Sequence, residues 1–173
     1  MSRTYLNDRW CVRCNRTDPS PYLAKNIDLF LPATGKLVLD LGCGNGRNTN
    51  FMKSKGFEVI SVDMAGDFGW KAVLGVDPLP VVWVDIILVN YLMMFLNAEE
   101  RNYLIEEIKR VASDRCIVMV ELYAAKDSEA TTKSECLRLQ KDIFDKLGWD
   151  KVRYSQERFI ARKPAFLQQG PNS

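Results

Sequence analysis

Three glycines alternate with other residues at Gly42, Gly44 and Gly46, directly after the apolar run Leu37–Leu41. Glycine has no side chain and reaches positive φ at little cost, so such a loop exposes its main-chain N–H groups. A helix that starts at Gly46 adds unpaired N–H groups and the positive end of its dipole. The pattern therefore predicts a loop whose backbone contacts the polar part of a ligand.

An acidic residue completes this pattern. Asp63 ends a second apolar segment, 57–63, and lies 23 positions after Asp40. In nucleotide-binding βαβ units a carboxylate about 20 residues beyond the glycine loop reaches the ribose hydroxyls. If the two segments are neighbouring parallel strands, Asp63 and the loop meet at one sheet edge. Together they predict an adenosine-containing ligand.

The elements that position these residues alternate between strand and helix along the chain. This alternation predicts an α/β fold with a doubly wound, Rossmann-like sheet, mostly parallel, with an antiparallel C-terminal strand. The segment between the second and third strands is short, so its helix is expected to be reduced or absent. The strands are expected at 37–41, 57–63, 72–77, 84–90, 116–124, 151–155 and 158–163, and the helices at 21–31, 46–55, 97–112 and 128–148.

Composition limits the classes of protein. With 173 residues the chain suits one domain, 21–167, preceded by an N-terminal arm, 1–20, and followed by a frayed tail, 168–173. A net charge of +2 does not indicate a polyanionic partner. No signal peptide or membrane span is expected, and five cysteines do not suggest a disulfide framework, so a cytoplasmic location is the default.

The details of the glycine loop decide between cofactors. The nicotinamide fingerprint G-x-G-x-x-G would place its third glycine at position 47, where this chain has Arg47. The chain instead has D-x-G-x-G-x-G, which resembles class I S-adenosylmethionine-dependent methyltransferases. The stretches LDLGCGNGRN and VDIILVNYLMMFLNAEE are also similar to small methyltransferases of the tellurite-resistance type.

This resemblance implies S-adenosyl-L-methionine as cofactor and assigns roles by position. It places Asp40 and the glycine loop along the methionine and ribose parts, Asp63 on the ribose hydroxyls, and Asp77 on the adenine amine. The implied cofactor-binding residues are Asp40, Gly42, Cys43, Gly44, Asn45, Gly46, Arg47, Asp63, Met64, Asp77, Asn90 and Tyr91. Asp67 and Phe68 are alternatives to Asp77. Asp40 either contacts the cofactor or caps the loop backbone, and Arg47 either contacts a substrate or is an exposed first-turn residue.

The methyl acceptor and the catalytic residues are less determined. The chain has no histidine, so the usual general base is absent. Tyr91, Tyr5 or a carboxylate could serve, or none, and an anionic or soft acceptor needs none. Asn90–Tyr91 lacks the Pro-Pro of amino-methylating DNA enzymes, which favours a small-molecule acceptor, while nucleic acid or protein stays open. The chain is expected to act as a monomer or homodimer.

The arm raises two further questions. Cys11 and Cys14 have the spacing of half a zinc site, but the chain has no histidine to complete it, so no metal is expected. The aromatic and basic residues of the arm form either a lid over the cofactor or an unstructured tail. They are Tyr5, Arg9, Trp10 and Arg13. Two other functions stay open, namely a non-catalytic cofactor-binding protein or partner subunit and a nicotinamide-linked enzyme.

Overall fold

A computed structural model describes residues 16–33, 36–64, 69–81, 83–124 and 128–165. Seven strands form one sheet in the order β3-β2-β1-β4-β5-β7-β6, in which β1 to β5 are parallel and β7 is antiparallel to β5 and β6. The expected fold class is therefore confirmed. The strands are β1 Leu37–Leu41, β2 Glu58–Asp63, β3 Trp70–Lys71, β4 Val84–Asn90, β5 Ala112–Glu121, β6 Asp150–Ser155 and β7 Arg158–Arg162.

Four α-helices and two short 3-10 helices accompany the sheet in the described ranges. The helices are α1 Pro21–Lys25, α2 Arg47–Ser54, α3 Ala98–Val111 and α4 Lys133–Leu147, with 3-10 turns at Ile27–Leu29 and Met93–Phe95. Asn97 and Glu100 form the expected capping box of α3. The helix expected at 128–148 begins later, because Thr132 caps it with Glu135, and that expected at 21–31 ends its α-helical part at Lys25.

Apolar side chains fill both faces of the sheet. Along β1, Val38 packs on the layer that contains Met52 of α2, whereas Leu39 belongs to the layer that contains Ile108 of α3. Successive residues of a strand point to opposite faces, and here both faces are covered. This explains why β1 and β4 are nearly continuous apolar runs. None of the helices in these ranges is long and apolar enough to cross a membrane.

The third strand differs from the expectation. β3 is Trp70–Lys71, whereas residues 73–77, expected within the strand, form a turn in which the Asp77 N–H donates to Val73 O. Met64 to Gly69, only six residues, connect β2 to β3, and this is too short for a helix that crosses the sheet. A Cβ on Gly69 would lie 2.2 Å from the carbonyl oxygen of Ser61, so the backbone at Gly69 lies close against β2.

Candidate active site

The glycine loop follows β1 at the carboxyl edge of the sheet. Gly42, Gly44 and Gly46 all have positive φ, at 71°, 55° and 75°. The N–H groups of Gly42 and Cys43 donate to Val62 O at 2.8 and 3.2 Å, which fixes the loop against β2. α2 starts directly after Gly46. The expected arrangement of bare backbone leading into a helix N-terminus is present.

Asp63 lies beside this loop. It ends β2, and its Oδ2 accepts a hydrogen bond from the Gly44 N–H at 3.0 Å. β1 and β2 pair in parallel, so the two features that the sequence separates by 19 residues share one edge. Met64 follows Asp63 and is half-buried. The structure thus brings together the carboxylate and the loop that define the expected nucleotide site.

Asp40 lies deeper than the rest of the motif, with 1% of its surface exposed. Its Oδ2 accepts from the Thr49 hydroxyl at 2.7 Å, and that hydroxyl lies 2.8 Å from the Ser61 hydroxyl. Burial raises the pKa of Asp40 to about 6, Thr49 opposes this shift, and the charge of Asp63 adds to it. Asp40 therefore joins β1 to α2 and, through Thr49, to β2, and its contact with a cofactor stays a prediction.

The described end of the arm runs over the glycine loop. The Asn45 amide donates to Arg16 O at 3.0 Å, and the Arg47 guanidinium donates to Asp18 O at 3.4 Å. The Ser20 N–H donates to Asn48 Oδ1 at 2.8 Å. We call residues 16–20 the strap. The arm residues that the sequence singled out lie outside the described ranges, namely Tyr5, Arg9, Trp10, Cys11, Arg13 and Cys14.

Asn90 and Tyr91 lie at the end of β4, where they meet a residue that the sequence did not single out. Glu121 ends β5, is 1% exposed, and accepts hydrogen bonds from the Asn90 amide and the Ser20 hydroxyl. Its Oε1 also accepts from the Tyr91 hydroxyl at 3.2 Å, and Arg158 Nη1 lies 3.9 Å away. A buried carboxylate thus lies between β4, β5, β7 and the strap.

Tyr91 has an unusual conformation. Its φ is 58°, which is uncommon for a bulky residue and persists only where the surroundings hold it. Burial raises the pKa of Tyr91, and the neighbouring charge and hydrogen bond of Glu121 raise it further. Its ring packs edge-to-face on Tyr123 at 5.4 Å, Phe95 lies 6.4 Å from Tyr123, and Arg47 lies 5.9 Å above the Tyr91 ring. These three rings form the aromatic wall.

The remaining sequence candidates make other contacts, have a different chemistry or lie outside the described residues. Asp77 is exposed, and its carboxylate accepts from the Val73 N–H at 2.7 Å within its own turn. Asp67 and Phe68 are outside the described residues. Burial, with the charges of Asp40 and Asp63, raises the pKa of Cys43 to about 12, so this thiol stays protonated. Within the described part, no three Cys, Asp or Glu side chains are grouped so that they could hold a metal ion.

Comparisons with known proteins give one family match, over part of the chain, and several solved structures with the same fold. The model of the tellurite resistance protein TehB family matches residues 16–68, which run from the strap through the glycine loop to beyond Asp63. A TehB-like SAM-dependent methyltransferase from Corynebacterium glutamicum has a TM-score of 0.63 and 18% identity, over 94% of this chain and 97% of its own. None of the curated proteins compared with the chain matches it.

Two further solved structures share the fold. The 1,6-didemethyltoxoflavin-N1-methyltransferase of Burkholderia thailandensis, with 1,6-didemethyltoxoflavin and S-adenosylhomocysteine bound, has a TM-score of 0.64 and 17% identity, over 93% of this chain and 84% of its own. TehB from Haemophilus influenzae has a TM-score of 0.56 and 17% identity, over 81% of this chain and 62% of its own. These likenesses confirm the resemblance at the level of the fold, which is that of SAM-dependent methyltransferases.

Proposed function

We propose that this chain, with the fold of SAM-dependent methyltransferases, transfers a methyl group from S-adenosyl-L-methionine to a small molecule. One observation carries the proposal. The glycine loop and the Asp63 carboxylate lie in direct contact at the carboxyl edge of the sheet, through the Gly44 N–H at 3.0 Å. Bare backbone beside an acceptor-only carboxylate suits an adenosine ribose.

The described residues fit this cofactor. Asp63 would accept from the ribose hydroxyls, Met64 would lie beside the adenine, and the loop would follow the methionine part. Asn90 adds a further observation, because its Oδ1 is buried and accepts no hydrogen bond among the described residues. A buried amide oxygen without a donor is costly, and an ammonium or amine of a ligand would satisfy it. A contact of Asp77 with adenine stays part of this proposal.

Bound S-adenosylmethionine supplies an electrophilic methyl group on a sulfonium, so the chain itself needs to orient the acceptor and exclude water. Tyr91 donates its proton to Glu121, and its raised pKa keeps the phenol protonated at neutral pH. Cys43 is also protonated. Neither side chain is a ready general base, which supports an acceptor that attacks without prior loss of a proton.

A small, planar acceptor suits the side of the site that lies after β4 and β5. The aromatic wall of Tyr91, Phe95 and Tyr123 follows β4 and β5 and is half-buried, so it can receive a flat ring by stacking or edge contact. The Burkholderia neighbour, whose structure holds 1,6-didemethyltoxoflavin, supports a ring compound here also. A lid role for the arm residues before Arg16, which lie outside the described ranges, stays part of this proposal.

A second candidate is a non-catalytic S-adenosylmethionine-binding subunit that works with a partner chain. It is supported by the edge of the sheet at β3, where Trp70 is 61% exposed, and by Trp83, which is 71% exposed before β4. Large exposed aromatic side chains are common at protein interfaces. This candidate shares the cofactor site and differs only in the absence of methyl transfer.

Isothermal titration calorimetry with S-adenosylhomocysteine tests the shared cofactor site. We expect saturable one-site binding, and we expect no competition by NADH. Binding of NADH without any response to S-adenosylhomocysteine would remove both candidates in favour of a nicotinamide-linked enzyme. Turnover of S-adenosylmethionine with planar amines, phenolates and thiols then separates the enzyme from the non-catalytic subunit.

A further inference from the structure

Glu121 is the centre of a hydrogen-bond network that joins the strap to three strands of the sheet. Its carboxylate contacts Ser20 of the strap, Asn90 and Tyr91 at the end of β4, and Arg158 of β7. The contact with Ser20 joins residues 101 positions apart in the sequence. Because Glu121 is 1% exposed, water does not replace these partners in the folded protein.

The chemistry of a carboxylate fixes the polarity of each neighbour. An ionised carboxylate only accepts hydrogen bonds, so each of its partners must turn a donor toward it. The Asn90 amide therefore presents its NH₂ group to Glu121, and this leaves Oδ1 as the group without a partner. The Tyr91 phenol likewise gives its only proton to Oε1, so its oxygen can act toward other groups only as an acceptor.

Glu121 also holds Tyr91 at both ends. The main-chain N–H of Tyr91 donates to Glu121 O at 2.8 Å, in addition to the bond between the two side chains. These two bonds keep a bulky residue at a φ of 58°, where few such residues are found. The same carboxylate accepts a hydrogen bond from the Ser20 hydroxyl. The hydroxyl oxygen of Ser20 in turn caps α1 by accepting from the N–H groups of Tyr22 and Leu23.

We propose that Glu121 is a positioning residue that sets Asn90 and Tyr91 as hydrogen-bond acceptors toward a ligand bearing N–H or ammonium groups, and locks the strap over the glycine loop. The proposal rests on the proposed function for the identity of the cofactor, S-adenosylmethionine, whose amino group is such a donor. Closure of the strap and orientation of the two β4 side chains are then one event, because they share one carboxylate.

Two substitutions separate the polarity of this group from its shape. Glu121→Gln keeps the size of the side chain but turns an NH₂ group toward donors. Glu121→Asp is shorter by one methylene but remains acceptor-only. If polarity is the function of Glu121, the Asp variant binds S-adenosylhomocysteine more tightly than the Gln variant. If Glu121 only fills space, the order is reversed.

Two measurements report on this order. Trypsin cleavage at Arg16–Thr17, followed by mass spectrometry on the ligand-free protein, measures opening of the strap without any cofactor. We expect Glu121→Gln to speed this cleavage about tenfold or more, as for loss of a hydrogen bond to a charged group. Calorimetry with S-adenosylhomocysteine should show about tenfold weaker binding for Glu121→Gln and an intermediate value for Glu121→Asp.

Matched variants keep the test decisive. Glu107→Gln removes another poorly exposed carboxylate, which contacts Leu79 and Arg110, and should change neither measurement. If Glu121→Gln does not fold, Ser20→Ala, compared with Ser20→Thr, removes the strap side of the network alone and should still speed the cleavage.

The outcomes for the two proposals are distinct. Cleavage of Glu121→Gln at the wild-type rate, or a Gln variant that binds as well as the Asp variant, overturns the positioning role. For the Ser20 pair, cleavage of Ser20→Ala no faster than that of Ser20→Thr does the same. If wild-type protein does not bind S-adenosylhomocysteine but Glu121→Gln is still cleaved faster than wild type, the proposed function is overturned. The role of Glu121 in holding the strap then still stands.

Discussion

Replacing Asp40 by asparagine should make the folded protein more stable at neutral pH and should weaken binding at its proposed cofactor site. The carboxyl is buried, and its pKa in the folded protein is about 6, against 3.8 for the ordinary side chain. The folded state therefore prefers the protonated form. The stabilising contribution of Asp40 is fully present below about pH 4 and is lost as the pH rises through 6.

The size of this loss follows from the shift. The pKa of Asp40 is about two pH units higher in the folded protein than in the ordinary side chain. At about 1.36 kcal/mol for each pH unit, this corresponds to a loss of up to about 3 kcal/mol in the free energy of unfolding at pH 7.5. The asparagine side chain of the variant cannot ionise, and its amide oxygen can still accept from the Thr49 hydroxyl. Asp40→Asn should therefore match wild type near pH 4 and exceed it by up to about 3 kcal/mol at pH 7.5.

Urea unfolding at pH 4.5, 6 and 7.5, monitored by tryptophan fluorescence, measures this difference. The absence of histidine removes the side chain that usually titrates in this range. Glu135→Gln is the matched control, because hydrogen bonds from Thr131 and Thr132 lower the pKa of Glu135 to about 2. The contribution of Glu135 is lost only as the pH falls from about 4.5 toward 2, so this control should show a constant offset. If the unfolding free energies of Asp40→Asn and wild type differ by the same amount at all three pH values, the reasoning is refuted.

Five further variants, two of them controls, test the site. Gly44→Ala and Gly148→Ala both place a side chain at positive φ, at 55° and 68°, and each should cost about 1 kcal/mol of unfolding free energy, but calorimetry should show weaker S-adenosylhomocysteine binding only for Gly44→Ala. Asp63→Ala should weaken that binding about 10- to 100-fold, because charge-assisted hydrogen bonds to the ligand are lost. The control is Asp85→Ala, which removes a β4 carboxylate that accepts from the Leu37 N–H and should leave the binding unchanged. Equal effects of the two variants on binding would contradict the assignment of Asp63. Tyr91→Phe should cost about 1 kcal/mol in urea unfolding, and no loss would show that its hydroxyl bond is not stabilising.

Local patterns were sufficient for most of the fold. The Asn97–Glu100 box correctly marked the start of α3, and the continuous apolar run of β1 correctly indicated a strand buried on both faces. The third strand was placed wrongly because residues 72–77 are apolar enough to resemble a strand. Pairing with β2 instead selects Trp70–Lys71, and only the neighbouring strand determines that choice.

The candidate site divides in the same way. The glycine loop and Asp63 could be paired from spacing alone, because parallel neighbours end at one edge of a sheet. Glu121 could not be found, since a single glutamate at the end of a strand matches no motif and its partners come from three distant segments. The depth of Asp40 was also not evident, because burial by Thr49 and Ser61 depends on how α2 packs on β2.

A crystal structure of the complex with S-adenosylhomocysteine tests the cofactor site most directly. The account predicts both ribose hydroxyls within hydrogen-bonding distance of the Asp63 carboxylate, with the homocysteine part along Gly42 to Gly46. A nucleoside bound at any other edge of the sheet, with Asp63 still bonded only within the protein, would contradict it.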